Sequence, residues 1–312
     1  MKRKVIQIAD STQLISLPRK WCLANSIHKG DELEVEGIGD KLTVSCKPEI
    51  KIEKAELHMK EYGILAPRVI YSLYKKGIDE VKIYFNSPED VQLVQKALKN
   101  ETVGYEIVEQ DSQSCLIKNI SSNIMAFDTM LRRTFLLLTS FAEETAHALS
   151  KKEFASLKNL LGLEESNNRF TTLCRRYLNK YGSQGNTKIG PLYAMIEELE
   201  KIADEYKYLI VSLGNLKNID AKINPQILGA YQTLLKMLQE TYHSFYKMEP
   251  EKVANIAATR KQMVAEWTSL LHQIKNPTEF VLMHHALVLM QKTFNLVGPM
   301  IILNIHNSEQ SP

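Results

Sequence analysis

The pattern of apolar and polar residues changes twice along the chain. In residues 1–50, short segments alternate with period two, as strands with one buried face do. Residues 51–122 mix strand-like and helix-like patterns. From residue 123 to 307 the apolar residues recur every three or four positions, which predicts long amphipathic helices. The chain is therefore predicted to be a multidomain α+β protein with three parts: residues 1–50, 51–122 and 123–307.

The first part is organised around residues 14–21, which read LISLPRKW. Their apolar residues predict a strand, and Pro18 is placed to open a helical turn, because its missing N–H costs nothing at the first helical position. Lys29, Gly30 and Asp31 then predict a turn into a second strand at residues 33–35. Further strands are predicted around residues 5–8 and 42–46. Few large apolar side chains are present, so the core of a monomer would be thin.

The second part, residues 51–122, is predicted to be a small α/β insert. A helix over residues 68–76 precedes a strand at 81–85. Ser87 is predicted to cap the next helix, with Pro88 at its first position. Strands at 103–108 and 114–120 complete the unit. It contains no recognisable nucleophile–base pair or metal cluster, which suggests a spacer or sensing module.

The third part is predicted to contain about six helices. Breaks fall near Ser150 and within 182–190, 215–224, 247–250 and 275–277. Proline stands where three of the helices begin, at Pro225, Pro250 and Pro277. The helices divide into two sets of three with similar lengths, at about 123–214 and 223–305, which suggests an internal duplication.

Composition narrows the class of protein without identifying it. The 312 residues are 44% hydrophobic and 24% charged, and the net charge of +3 is too small to indicate nucleic-acid binding by itself. Four widely spaced cysteines without a Cys-x-x-Cys pair favour a reducing compartment over a disulfide framework. Neither a signal peptide nor an uninterrupted apolar membrane span is recognisable. These features predict a cytoplasmic protein without membrane insertion.

LISLPRKW followed by KGDELEV resembles the SpoVT/AbrB-like swapped-hairpin DNA-binding domain over about the first fifty residues. The resemblance implies that two chains interleave their hairpins into one β-barrel and form an obligate homodimer. The candidate DNA-binding residues are Lys2, Arg3, Lys4, Arg19 and Lys20, which two chains would place in one cationic stripe. The alternative is that these are solvated surface charges, balanced by the acidic residues Asp31, Glu32, Glu34 and Glu36.

The duplicated helices, with Glu-x-x-x-Asp at Glu200 and Asp204, resemble PhoU, the phosphate-uptake regulator. The order of the parts resembles that of archaeal PhoU-family members. An AbrB-like head comes first, the segments GIDEVKIYF and VGYEIVEQ follow, and these helices come last. The resemblance implies a C-terminal all-α pair of three-helix bundles, with iron or zinc bound at Glu200 and Asp204. The chain departs from the family pattern at Gln291 and Asn295, which carry no charge, and at Asn168, where an acidic residue is usual.

A metal-dependent enzyme is the third interpretation. Glu144 and His147, and likewise Glu240 and His243, form Glu-x-x-His pairs of the kind that di-iron bundle proteins use. Helical geometry places at least one member of each pair almost opposite the apolar seam, so both pairs are predicted to face water. His284 and His285 are predicted to be packing or surface residues. No phosphate-binding loop or nucleophile is recognisable, which predicts that the chain is not an enzyme.

The predicted function is therefore a cytoplasmic regulator of phosphate uptake. Its head would bind DNA as a homodimer, and its helical body would receive the phosphate signal, with phosphate-transporter components as partners. The alternative is an adaptor whose head only dimerises and whose body docks on a transporter ATPase. Neutralising Arg19 and Lys20 distinguishes the two, because only the DNA-binding protein would lose affinity for DNA.

Overall fold

The computed structural model describes residues 2–8, 12–38, 41–46, 52–121, 127–182, 188–219 and 222–305. The protein is mixed α+β and about 66% helical, with a small N-terminal sheet and a C-terminal helical body. It forms two compact units, Met1–Ile52 and Glu53–Pro312. The predicted α/β insert and the helices therefore belong to one unit.

The first unit consists of two β-hairpins and one short helix. Strands β1 (Ile6–Ile8) and β2 (Thr12–Leu14) are antiparallel, as are β3 (Leu33–Ile38) and β4 (Lys41–Cys46); helix α1 (Arg19–Ala24) lies between the pairs in sequence. Pro18 lies just before α1 instead of inside it, and its carbonyl accepts the Cys22 N–H at 3.0 Å. Gly30 adopts a φ of 101° in the turn before β3, a conformation that favours glycine.

The first unit has no buried core among the residues described. No side chain described between residues 2 and 46 is buried. Large apolar residues are instead well exposed, including Val5 (60%), Leu23 (70%) and Leu42 (59%). The two hairpins form separate two-stranded sheets, and an isolated two-stranded sheet is at best marginally stable in water.

The second unit begins with a four-stranded sheet. Its elements are β5 (Lys54–His58), α2 (Met59–Tyr62), a 3₁₀ turn (Gly63–Leu65), α3 (Ala66–Lys76), β6 (Glu80–Tyr84), α4 (Asp90–Glu101), β7 (Tyr105–Gln110) and β8 (Ser114–Asn119). The strand order is β5-β6-β8-β7, and only β5 and β6 are parallel. Helix α3 makes the crossover between them. The sequence analysis missed β5, because Leu57 is the one large aliphatic residue in it.

The predicted start of α4 is wrong. The helix begins at Asp90, and Ser87 does not cap it. The Asp90 carboxylate instead accepts the backbone N–H groups of Asn86 (2.6 Å) and Ser87 (3.1 Å). Asp90 thereby closes the loop after β6 from the helix end of that loop. Aspartate side chains form local hydrogen bonds to backbone N–H groups as readily as serine side chains do.

Seven helices make up the rest of the described chain. They are α5 (Phe127–Lys151), α6 (Leu161–Tyr181), α7 (Ile189–Gly214), α8 (Pro225–Tyr246), α9 (Pro250–Leu271), α10 (Pro277–Asn295) and the short α11 (Val297–Asn304), with a 3₁₀ turn at Ser156–Leu160 before α6. The predicted breaks are confirmed, and Pro225, Pro250 and Pro277 are each the first residue of a helix.

The helices pack in two groups of three around one continuous core. Helices α5, α6 and α7 contact one another, as do α8, α9 and α10. The groups meet where α5 packs on α8 and α7 on α10. The Tyr231 hydroxyl in this core donates to the Leu282 carbonyl at 2.8 Å, which satisfies a fully buried polar group.

One helical stretch among the described residues, Pro277–Asn304, is long and apolar enough to cross a membrane by length and composition. Leu282, Ala286 and Leu289 on it are completely buried in the helical core. In all, 39% of its most apolar window is buried inside the protein. The absence of membrane insertion stays a prediction.

The sheet is attached to the helical body through Arg176 of α6, which is 4% exposed. Its guanidinium donates to the carbonyls of Tyr74 (2.9 Å) and Ile78 (2.6 Å) and to Asp79 Oδ1 (2.8 Å). Lys180 forms a second ion pair with Asp79, whose other oxygen accepts the Glu53 N–H at 3.0 Å. The carboxylate of Asp79, just before β6, thus links this strand both to the start of β5 and to helix α6.

We expect Asp79→Ala to destabilise the second unit strongly. The change leaves the buried Arg176 guanidinium without its carboxylate, which typically costs about 3–5 kcal/mol. Urea unfolding of the full chain, followed by circular dichroism, measures the difference. Glu109→Ala, at an exposed position on β7, is the control and should change the free energy of unfolding by less than about 0.5 kcal/mol. Equal stability of the two variants would contradict this role of Asp79.

Candidate functional site

A cleft of about 370 Å³ lies between α3, the end of α4, α6 and α7. We call it the mixed-charge cleft; its lining residues are Arg68, Tyr71, Ser72, Lys75, Glu101, Asn168, Glu200, Asp204, Lys207 and Tyr208. Helix α3 contributes the cations Arg68 and Lys75, and α7 contributes the acids Glu200 and Asp204. The cleft therefore contains both residues that were predicted to bind a metal.

Side chains of helix α6 hold the carboxylate of Glu200 in place. Arg175, which is 1% exposed, forms ion pairs with Glu197 and Glu200. The Thr171 hydroxyl also donates to Glu200 Oε2 at 3.1 Å. Glu200 is therefore held by a buried cation and a buried hydroxyl.

The position of Asp204 is determined by Lys207. The Lys207 ammonium donates at 2.6 Å to both Asp204 and Glu164, and Asn168 donates to Glu164 at the same distance. Burial raises the pKa of Glu164 above its ordinary value. Burial would lower the pKa of Lys207, but the hydrogen bonds to Asp204 and Glu164 outweigh it and raise that pKa. The ammonium therefore stays charged at neutral pH.

These contacts bear on the expected metal. The two carboxylates of Glu200 and Asp204 do face the same cleft, yet Arg175 and Lys207 already provide the positive charge that a metal ion would supply. Iron or zinc would have to compete with both cations. Metal binding at this pair stays a prediction.

A second polar cluster lies between α7 and α10, where the two groups of helices meet. We call it the Glu205 network; it consists of Glu205 and Ser212 on α7 and His285 and Lys292 on α10. His285 Nδ1 lies 2.7 Å from Glu205 Oε1, and His285 Nε2 lies 3.2 Å from Ser212 Oγ. Lys292 donates to Glu205 Oε2 at 2.7 Å. Glu205 and His285 are only 5% and 6% exposed.

Glu205 is held in its ionised form. Burial would raise the pKa of Glu205, but hydrogen bonds from His285 and Lys292 outweigh burial and lower that pKa below its ordinary value. The exposed His284 lies beside the network. A carboxylate oxygen of Glu205 and one ring nitrogen each of His284 and His285 lie within 4.8 Å of one another, so these three residues are potential metal ligands.

The residues proposed for DNA binding all lie in the first unit. Lys2, Arg3 and Lys4 precede β1, and Arg19 and Lys20 are the first two residues of α1. All five side chains are exposed.

Both Glu-x-x-His pairs face solvent, as predicted: Glu144, His147, Glu240 and His243 are all exposed. This is incompatible with an inward-facing di-iron centre built from them. The glycine-containing loop at residues 182–185, which has no recognisable phosphate-binding motif, is described only at Gly182; residues 183–185 lie outside the described residues.

The sequence analysis missed Arg175, Arg176, Glu205 and Ser212. A signal was present for three of them, because Arg175, Arg176 and Glu205 are charged residues on the apolar seam of a helix. Such residues are buried only when they are paired. The sequence does not identify their partners.

No protein-family model, curated protein or solved structure matches this chain. The SpoVT/AbrB-like and PhoU-like resemblances therefore rest on the residues quoted for them.

We expect Glu205→Gln to lower the free energy of unfolding by about 3 kcal/mol at pH 7, as breaking buried ion pairs does. Because the folded-state pKa of Glu205 is lowered, its contribution is present above the ordinary carboxyl pKa and is lost as pH falls through the lower folded value. Urea titrations at pH 7 and pH 3.5 measure the loss, which should be smaller at the lower pH. Glu240→Gln, on the exposed face of α8, is the control. A deficit equal at both pH values would show that ionisation of Glu205 does not matter.

Proposed function

We propose that the chain is a cytoplasmic, homodimeric DNA-binding regulator of phosphate uptake. The observation that supports this best is the lack of a buried core among the described residues of the first unit, beside a set of exposed cations. A DNA-binding head completed by a second chain accounts for both features.

The exposed apolar residues of the head support dimerisation. In the β1–β2 hairpin, Ile6 pairs with Leu14 in register, and the two side chains are 56% and 44% exposed. In the β3–β4 hairpin, Val35 (56% exposed) lies opposite Val44. Apolar pairs of this kind on both hairpins favour burial against identical hairpins of a second chain, which is the arrangement that the SpoVT/AbrB resemblance implies.

The exposed cations of the head, together with the proposed two-fold symmetry, support DNA binding. Arg19 and Lys20 are adjacent, exposed and at the start of α1, and Lys2, Arg3 and Lys4 form a basic arm at the start of the chain. A two-fold axis through the head would duplicate this set. Contacts of this kind neutralise phosphates and favour binding through the release of counterions.

The phosphate-related part of the proposal rests on the PhoU resemblance of the helical body. Two groups of three helices in one chain are what that resemblance implies. In this role the mixed-charge cleft would receive the signal, either from phosphate or from a transporter component, and α6 would carry it toward the sheet.

We expect the parent chain to be a dimer and Ile6→Asp/Leu14→Asp to be a monomer or an unfolded head, because two buried carboxylates per chain would oppose the interface. Sedimentation velocity measures the change. Ile64→Asp is the matched control, since Ile64 is 95% exposed and lies in the second unit. A parent that sediments as a monomer would contradict the proposed head.

We expect Arg19→Ala/Lys20→Ala to weaken DNA binding. Four cations are removed per dimer, so the slope of log K against log salt should decrease by about 3.6 if all four contact phosphates. Fluorescence anisotropy on the upstream region of its own gene, titrated with salt, measures both quantities. Lys236→Ala/Lys261→Ala, at exposed positions of α8 and α9, removes the same charge from the helical body.

Two results separate the proposal from the adaptor alternative. Loss of affinity in the head variant alone supports a DNA-binding regulator. Weak binding that is equal on every fragment and equal in both double variants would show that the head does not bind DNA, and the adaptor interpretation would then remain.

A further inference from the structure

The Glu205 network has the connectivity of a serine–histidine–carboxylate triad. A carboxylate contacts one ring nitrogen of His285 at 2.7 Å, and a serine hydroxyl contacts the other at 3.2 Å. The second distance is at the long end for a hydrogen bond, as is common for such groups without substrate. Triads of this kind are recognised by geometry, because they occur on unrelated folds and in different chain orders.

The ionised carboxylate selects the tautomer of His285. An ionised Glu205 can only accept hydrogen bonds, so Nδ1 of His285 must carry a proton and donate it. In the neutral imidazole, Nε2 is then an acceptor, and its lone pair faces Ser212 Oγ. Lys292 supports this arrangement, because it donates to the other oxygen of Glu205. Both ring nitrogens of His285 are thus engaged in the roles that a general base requires.

We propose that Ser212 is a nucleophile activated by His285, with Glu205 as the positioning residue, and that the site reacts with activated esters. The proposal is independent of DNA binding and of the phosphate signal. The alternative, a metal bound by Glu205, His284 and His285, is less favoured, because both oxygens of Glu205 already accept hydrogen bonds and both ring nitrogens of His285 already have partners.

The surroundings supply little stabilisation for a developing oxyanion. Ser212 is two residues before the end of α7 at Gly214, where the helix dipole is negative and opposes negative charge on the substrate. Backbone N–H groups within a helix are used by the helix itself. The donor that remains is the side chain of the exposed His284, which has a ring nitrogen within 4.8 Å of a Glu205 oxygen and a His285 ring nitrogen. A single side-chain donor of this kind predicts slow turnover.

Exposed apolar side chains on the same two helices suggest the substrate class. Tyr208 (49%) and Val211 (46%) precede Ser212 on α7 by four residues and by one, and Phe280 (54%) lies on α10, one turn before His284. The ring of Phe280 stacks on that of His284 with centroids 6.4 Å apart. These half-exposed apolar groups suit an uncharged ester with an apolar or aromatic acyl group.

The test is covalent labelling of the full chain with a fluorophosphonate probe. Ser212 Oγ forms a bond to phosphorus, the P–F bond breaks, fluoride leaves, and the serine proton passes to His285 Nε2. Peptide mass spectrometry should locate one adduct, on Ser212. Hydrolysis of p-nitrophenyl acetate provides a second readout: the acetyl group transfers to Ser212, its hydroxyl proton passes to His285 and p-nitrophenolate leaves, after which water attacks the acetyl ester, acetate leaves and Ser212 regains a proton.

Matched variants make the result specific. Ser212→Ala should abolish labelling, and His285→Gln should slow it at least tenfold, with folding of each checked by its melting curve. Ser166→Ala should label like the parent; Ser166 is a half-buried helical serine whose hydroxyl donates to the Gly162 carbonyl at 2.9 Å. No adduct on the folded parent, or an unchanged adduct in Ser212→Ala, overturns the proposal. So does one bound zinc ion per chain that is lost in His284→Ala.

Discussion

Two consecutive buried arginines on α6 connect the parts of the second unit. Arg176 points to the sheet and pairs with Asp79, while Arg175 points to α7 and pairs with Glu197 and Glu200. Each guanidinium is removed from water, so each requires its carboxylate partner. A shift of α6 that preserved one pair would strain the other. The sheet, α6 and α7 are therefore coupled, and the mixed-charge cleft lies beside α6 and α7, with α3 and the end of α4 as its other walls.

This coupling gives the proposed regulator a physical route for a signal within the second unit. A ligand that competed for Glu200 or Asp204 would release Arg175 or Lys207 from its partner. The neighbouring Arg176 would then be affected through the shared helix backbone. Coupling of this kind needs two discrete arrangements of the ion pairs; the structure shows one of them, in which Arg175 pairs with Glu200 and Lys207 pairs with Asp204.

The first unit depends on a different constraint. Its apolar residues are present in the right alternation for strands, but two separate hairpins cannot enclose them. The second unit, by contrast, has continuous cores in its sheet and its helices. This contrast supports the proposal that a second copy completes the head, since identical hairpins bring the same apolar pattern.

The sequence by itself determined the local features of this protein. Helix periodicity and the three prolines located the long helices, and the same periodicity placed both Glu-x-x-His pairs in solvent, because the facing of a side chain depends on its position along one helix. Strand β5 and the Asp90 loop were missed, since their patterns are weak and several local hydrogen-bonding solutions exist. Only the tertiary structure decided that Glu200 pairs with Arg175, and that Ser212 meets His285 across 73 positions. Such contacts depend on how helices dock, and residue spacing along the chain carries no record of that geometry.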